Sequence, residues 1–163
     1  MGLIDEASAG QSARALASAV RMLGQREHSE AELRRKLIRK HSDLSADQLD
    51  SVIAELLEND WLSDSRYAET LIRSRINRGY GPHYISRELV SNGIDPDLAQ
   101  DALAQQSQDW LMLADDLVSR RHPDAGECAS DWQRAARFLQ RRGFSADIVV
   151  KTLGPQPYPQ PSD

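Results

Sequence analysis

Residues 73–95, RSRINRGYGPHYISRELVSNGID, hold four arginines, three glycines and two tyrosines in one short span. Two chemistries fit that mix. A glycine-rich loop can turn backbone N–H groups onto a phosphate, and arginines interleaved with tyrosines can grip a nucleic acid or another protein. Gly79-Tyr80-Gly81 is only a fragment of a dinucleotide fingerprint, however, and it follows no strand pattern. It reads instead as a joint, with one helix ending at Gly79 and the next starting at Pro82, because glycine suits a helix C-terminus and proline the first helical position. A joint has no need of Arg73, Arg75, Arg78, Tyr80 and Tyr84. These five are the first candidates for contact with a partner or with DNA.

A second basic cluster supplies Arg34, Arg35, Arg39 and Lys40 as further candidates, beside Lys36. Part of its charge has a local explanation, since Glu32 stands four residues before Lys36 where a helical ion pair forms. A third cluster, Arg137, Arg141 and Arg142, falls toward a helix C-terminus, where cations are favoured by the macrodipole.

Other chemistry is missing from the pattern. His28, His41, His83 and His122 are far apart, and Cys128 is the single cysteine, so no zinc-ligand spacing arises. No Walker-type loop and no Gly-x-Ser-x-Gly elbow is present. Asp64, Asp95 and Asp97 are expected to serve helix starts, and Trp61, Trp110 and Trp132 to pack between helices. The expectation is a protein without catalytic residues, metal or cofactor.

Net charge is −5, from 20 Lys+Arg against 25 Asp+Glu, which argues against a chain whose main affinity is for bare DNA. No apolar stretch approaches the ~20 residues of a membrane span. The start, MGLIDEASAG, lacks a signal-peptide pattern, and one cysteine fits a reducing compartment. A cytoplasmic monomer is expected.

The elements that must position these residues are helices, and they repeat. Ser29 with Glu32 and Ser45 with Gln48 form capping-box patterns ahead of apolar stripes, Leu33, Leu37 and Ile38, then Leu49, Val52, Ile53, Leu56 and Leu57. About fifty residues on, Pro82 opens a helix with Ile85, Leu89 and Val90, and Asp95-Pro96 opens the next. A third time, Ser130 with Gln133 and then Ser145 are expected to cap helices. Leu44, Ile94 and Phe144 each precede a cap, fifty residues apart. First helices of each unit are expected near 13–24, 64–78 and 108–121. The stretch from Asp97 to Arg121 has no glycine or proline and is expected to run as one rod.

The fold class predicted is all-α, three tandem three-helix repeats stacked into an elongated, curved array. Its boundaries are a flexible N-terminus at 1–11, repeats at 12–62, 63–106 and 107–154, and a Pro-rich disordered tail at 155–163.

Two stretches, GQREHSEAELRRKLIRK and WLSDSRYAETLIRSRINRGYGPHYISREL, resemble the RecX regulatory proteins. The resemblance runs from about residue 13 to 153, and is thinnest in the third unit, where Ala135 and Gln140 replace larger apolar residues. It implies the threefold three-helix repeat. It also implies a cytoplasmic bacterial regulator of DNA repair, recombination and the SOS response. Such a protein binds RecA and the RecA–DNA filament, lodges in the filament groove, and inhibits recombinase, ATPase and coprotease activities. The alternative is a direct DNA-binding helical module with no RecA partner, since short three-helix units can act as DNA readers. Weak DNA contact is compatible with both.

Overall fold

The computed structural model describes residues 2–157 and the secondary structure there is helical throughout. The helices are α1 (Gly2–Leu23), α2 (Glu30–Lys40), α3 (Ala46–Glu58), α4 (Asp64–Asn77), α5 (Pro82–Ser91), α6 (Pro96–Ala104), α7 (Trp110–Arg121), α8 (Ala129–Arg141) and α9 (Ala146–Leu153). They divide between two compact units. One comprises Met1–Thr70 with Leu89–Leu98, and the other Leu71–Glu88 with Ala99–Asp163.

In the first unit α1, α2 and α3 pack on one another. Ala15 and Ala19 of α1, Leu33 and Leu37 of α2, and Leu49, Val52, Ile53 and Leu56 of α3 make a common core, closed by Leu62. Small alanines on α1 let its backbone approach the two leucine-bearing helices closely. Both expected caps form. Ser29 accepts from the Glu32 amide, and Ser45 and Gln48 complete a reciprocal box. The Glu32 side chain does not return to Ser29. It is drawn away by Arg26 and Lys36.

The α5–α6 turn also belongs to this unit and docks on the start of α2. The Ser29 hydroxyl donates to the Asn92 carbonyl at 2.6 Å. Gly93, at φ 87°, lies so close that a Cβ there would stand 2.3 Å from the Ala31 Cβ. Asp64, expected to cap its own helix, instead accepts from the Glu30 amide of α2 at 2.8 Å, while Ser63 supplies the bond to the Arg66 amide.

The second unit repeats the arrangement. Helices α7, α8 and α9 pack together around Ala114, Val118, Ala135, Ala136, Leu139, Phe144 and Val149. The α8–α9 turn docks on the start of α5, where the Gly81 amide donates to the Arg142 carbonyl at 2.7 Å and the His83 amide to Gly143 at 3.1 Å. Asp95 and Ser145 cap α6 and α9 as expected.

Several expectations are corrected. Helix α1 begins at Gly2 rather than near 13, because the segment contains helix-forming residues and no stop, and its internal Gly10 costs only about 1 kcal/mol. The rod over 97–121 is broken between Ala104 and Trp110. Asp109 accepts from the Met112 amide at 2.9 Å and starts a new helix, so a capping side chain ends the run without glycine or proline. Ser130 is not the cap of α8, which starts at Ala129 after Cys128 and has no side-chain cap bond.

Trp61 is 48% exposed rather than packed, although Trp110 and Trp132 do pack on the α7–α9 core. Ile38, Leu57 and Val90 also face outward, each being the residue after a buried leucine that takes the core position. Of the tail, 155–157 lies beyond α9, and 158–163 falls outside the described residues.

Candidate interaction site

The joint between α4 and α5 is built as its residues dictate. Helix α4 closes in a Schellman pattern, with the Tyr80 amide donating to Arg75 and the Gly79 amide to Ile76, and Gly79 takes φ 76°. Pro82 then opens α5.

The five candidates of this joint separate by role. Arg75 forms a two-pronged pair with Glu88, Nε to Oε2 at 2.6 Å and Nη2 to Oε1 at 2.5 Å. Both side chains are about one-fifth exposed, and the Glu88 hydrogen bonds raise the guanidinium pKa against the opposing effect of burial. Arg75 therefore ties α4 to α5. Arg73 and Arg78 are exposed and have no hydrogen-bond or ion-pair partner for their side chains among the described residues. Tyr80 and Tyr84 stack on each other with ring centres 4.2 Å apart.

Residues distant in sequence complete the site. The Arg142 guanidinium lies over Tyr80 at 4.8 Å and over Phe138 at 5.3 Å, and donates to the Arg78 carbonyl at 2.6 Å. An open groove of about 290 Å³ runs beside it, lined by Arg78, Arg120, Arg121 and Arg142 over an apolar floor of Leu113 and Leu117. The signal for Arg120 and Arg121 was a basic pair in the last turn of α7, which reads as ordinary dipole compensation. Arg142 was legible as part of a basic cluster, but its rings were not.

The α2 candidates belong to the other unit. Arg34 is held by Glu30 at 2.8 Å and Asp50 at 2.5 Å, bonds that raise its pKa, so it joins α2 to α3. Arg35, Arg39 and Lys40 are exposed. At the base of this helix sits a buried network. His28 Nδ1 lies 2.9 Å from the Arg26 carbonyl and Nε2 lies 3.0 Å from Lys36 Nζ. Lysine can only donate, so Nε2 accepts and the proton sits on Nδ1. Burial, opposed by that carbonyl, lowers the His28 pKa. Burial would raise Glu32, but the Arg26 and Lys36 hydrogen bonds outweigh it and hold the carboxyl at about 2.

Among the described residues no His/Cys/Asp/Glu group is disposed to hold a metal, and no helix is long and apolar enough to cross a membrane.

Family models place these elements. The first three-helix domain of RecX matches residues 15–56, and the second matches 63–103, which contains the whole joint. The chain belongs to the RecX family. Regulatory protein RecX of Stenotrophomonas maltophilia is 39% identical over 80% of each chain. That of Legionella pneumophila is 37% identical over 86% of this chain and 93% of its own. The crystal structure of RecX from Lactobacillus salivarius shares the fold, with a TM-score of 0.79 over 89% of this chain and 96% of that one at 23% identity. The RecX relatives are named regulatory proteins, and a regulatory role extends to this chain.

Proposed function

We propose that the chain regulates RecA, binding the protein and its DNA filament in the cytoplasm as a monomer and restraining recombinase, ATPase and coprotease activity without catalysis of its own. Membership of the RecX family supports the regulatory half of this reading. The α4–α5 joint supports the contact: Arg73 and Arg78 stand exposed, without side-chain partners among the described residues, on either side of a residue, Arg75, that is consumed by Glu88. A structural joint has no use for those two charges, whereas a polyanionic nucleoprotein surface does. Ser145 caps α9 as Ser45 caps α3, and Gly143 repeats the positive-φ turn of Gly93, and on that likeness we read α7–α9 as a third copy.

The test is direct. The protein is added at substoichiometric amounts to RecA on single-stranded DNA while ATP hydrolysis and strand exchange are followed. Both should fall, and unchanged rates would reject the reading.

A further inference from the structure

Arg142 does more at the joint than its own turn requires. Docking of the α8–α9 turn on α5 uses main chain, the Gly81 amide donating to the Arg142 carbonyl and the His83 amide to that of Gly143. In the first unit Asn92 stands in the same place before Gly93, and there too its carbonyl makes the bond. The Arg142 side chain is thus left over from docking, and it reaches back across the joint. Its guanidinium donates to the Arg78 carbonyl at 2.6 Å, just past the end of α4. It also lies 4.8 Å from the centre of the Tyr80 ring and 5.3 Å from that of Phe138 on its own helix. Tyr80 in turn stacks on Tyr84 of α5. One planar group therefore links the end of α4, the joint and α8, with α5 one ring further on. Arg121 lines the same groove but is exposed, and its side chain has no partner among the described residues.

We propose that Arg142 is a positioning residue. By holding the Arg78 carbonyl and the Tyr80 ring it sets how the joint presents the Arg78 side chain, so the third copy governs a contact made by the second. Carbonyls in the last turn of a helix lack partners within the helix. The peptide after Arg78 leads into Gly79 at φ 76°, where no side chain limits rotation. A charged donor on that carbonyl takes up the freedom the glycine leaves. A guanidinium can lie over a ring and donate from its edge at the same time, whereas an ammonium supplies the charge without the plane. The inference rests on the reading that Arg78 meets the RecA filament, but the joint itself can be watched without RecA.

Amide hydrogen exchange is measured on the full chain as wild type, Arg142→Lys, Arg142→Gln and Arg121→Gln. The Gly79 and Tyr80 amides, bonded to Ile76 and Arg75, should exchange about tenfold faster in both Arg142 variants. The Phe144 amide, bonded to Leu139, should not change, which separates opening of the joint from unfolding. Arg121→Gln should alter none of the three, although it removes the same charge from the same groove. The concentration that half-inhibits ATP hydrolysis by RecA, counted per folded molecule, should rise about fivefold in both Arg142 variants. Arg78→Gln keeps the carbonyl and loses the presented charge, so in that background Arg142→Gln should add nothing. Additive losses, joint amides that do not move, faster exchange with inhibition intact, or Arg142→Lys matching wild type would each overturn the proposal. A wild type that leaves RecA unaffected rejects the RecA reading itself and the governed contact with it, whatever the amides show.

Discussion

A Cβ on Gly143 would stand 2.3 Å from the amide nitrogen of Tyr84, and the residue holds φ 88°, so the α8–α9 turn and the start of α5 meet backbone to backbone. No side chain fits that gap, and the neighbour is main chain that cannot swing aside. Gly143→Ala should therefore destabilise the protein by about 3 kcal/mol, combining left-handed strain with overpacking. Asp43 occupies the corresponding place in the α2–α3 turn, with no positive φ among the described residues' non-glycine exceptions except Asp60. Changing Asp43 to glycine should move stability by less than about 1 kcal/mol. Urea melts of the two variants check the contrast.

The Ser29 hydroxyl serves two groups at once, accepting from Glu32 and donating to Asn92, and it is fully buried. Ser29→Ala should cost roughly 2 kcal/mol, a lost cap plus an orphaned carbonyl. Ser45→Ala, at an exposed box, should cost about 1 kcal/mol. Equal losses in thermal melts would show that the Asn92 bond contributes nothing.

Arg75 and its neighbours should separate in a single experiment. Arg75→Ala breaks a half-buried pair and should destabilise by about 1–2 kcal/mol, with a double-mutant cycle to Glu88 giving coupling near 1 kcal/mol. Arg73→Ala with Arg78→Ala should leave melting within about 0.5 kcal/mol of wild type while weakening inhibition of RecA. A melting loss in that second pair, with inhibition per folded molecule preserved, would make these arginines structural.

Acid should loosen the α2 network in two steps. His28 has its pKa lowered on folding, so the unfolded chain takes up a proton first, and stability declines as pH falls below the unfolded value of about 6.5. Glu32 is held at about 2 in the fold, so its contribution, complete above about 4.5, is lost as pH falls from there toward 2. Melting temperature against pH should show both declines. His28→Gln retains a donor and an acceptor without titrating, and should abolish the upper one.

Much of the fold was legible because it is written locally. Ser45, Asp95 and Ser145 cap where their spacing says, and Gly79-Tyr80-Gly81-Pro82 is the joint it resembles. The failures are places where a side chain had two readings. Asp109 in an unbroken helical run could sit on a solvated face, but it turned to the Met112 amide and ended the rod. Asp64 could cap its own helix, but burial against α2 gave it the Glu30 amide instead.

The site was half legible for a different reason. Arg73, Arg78, Tyr80 and Tyr84 are neighbours in sequence, whereas Arg120, Arg121 and Arg142 arrive through packing of α7 and α8. Nothing local distinguishes a guanidinium that satisfies a carbonyl from one left over, and that distinction separates Arg142 from Arg121. Arg75 likewise looked like its neighbours until Glu88, thirteen residues on, was seen to hold it.

Asp43 has one more consequence. Where Gly93 and Gly143 present bare backbone to the helix before them, the α2–α3 turn presents a carboxylate already engaged by Gln11 and Arg14 of α1. The module is thus directional, with a plug on one side and a receptor on the other, and its first plug is blunted by its own leading helix. An engineer wishing to lengthen the protein would find the α2–α3 end closed to a further copy until Asp43 became glycine and α1 was cut back.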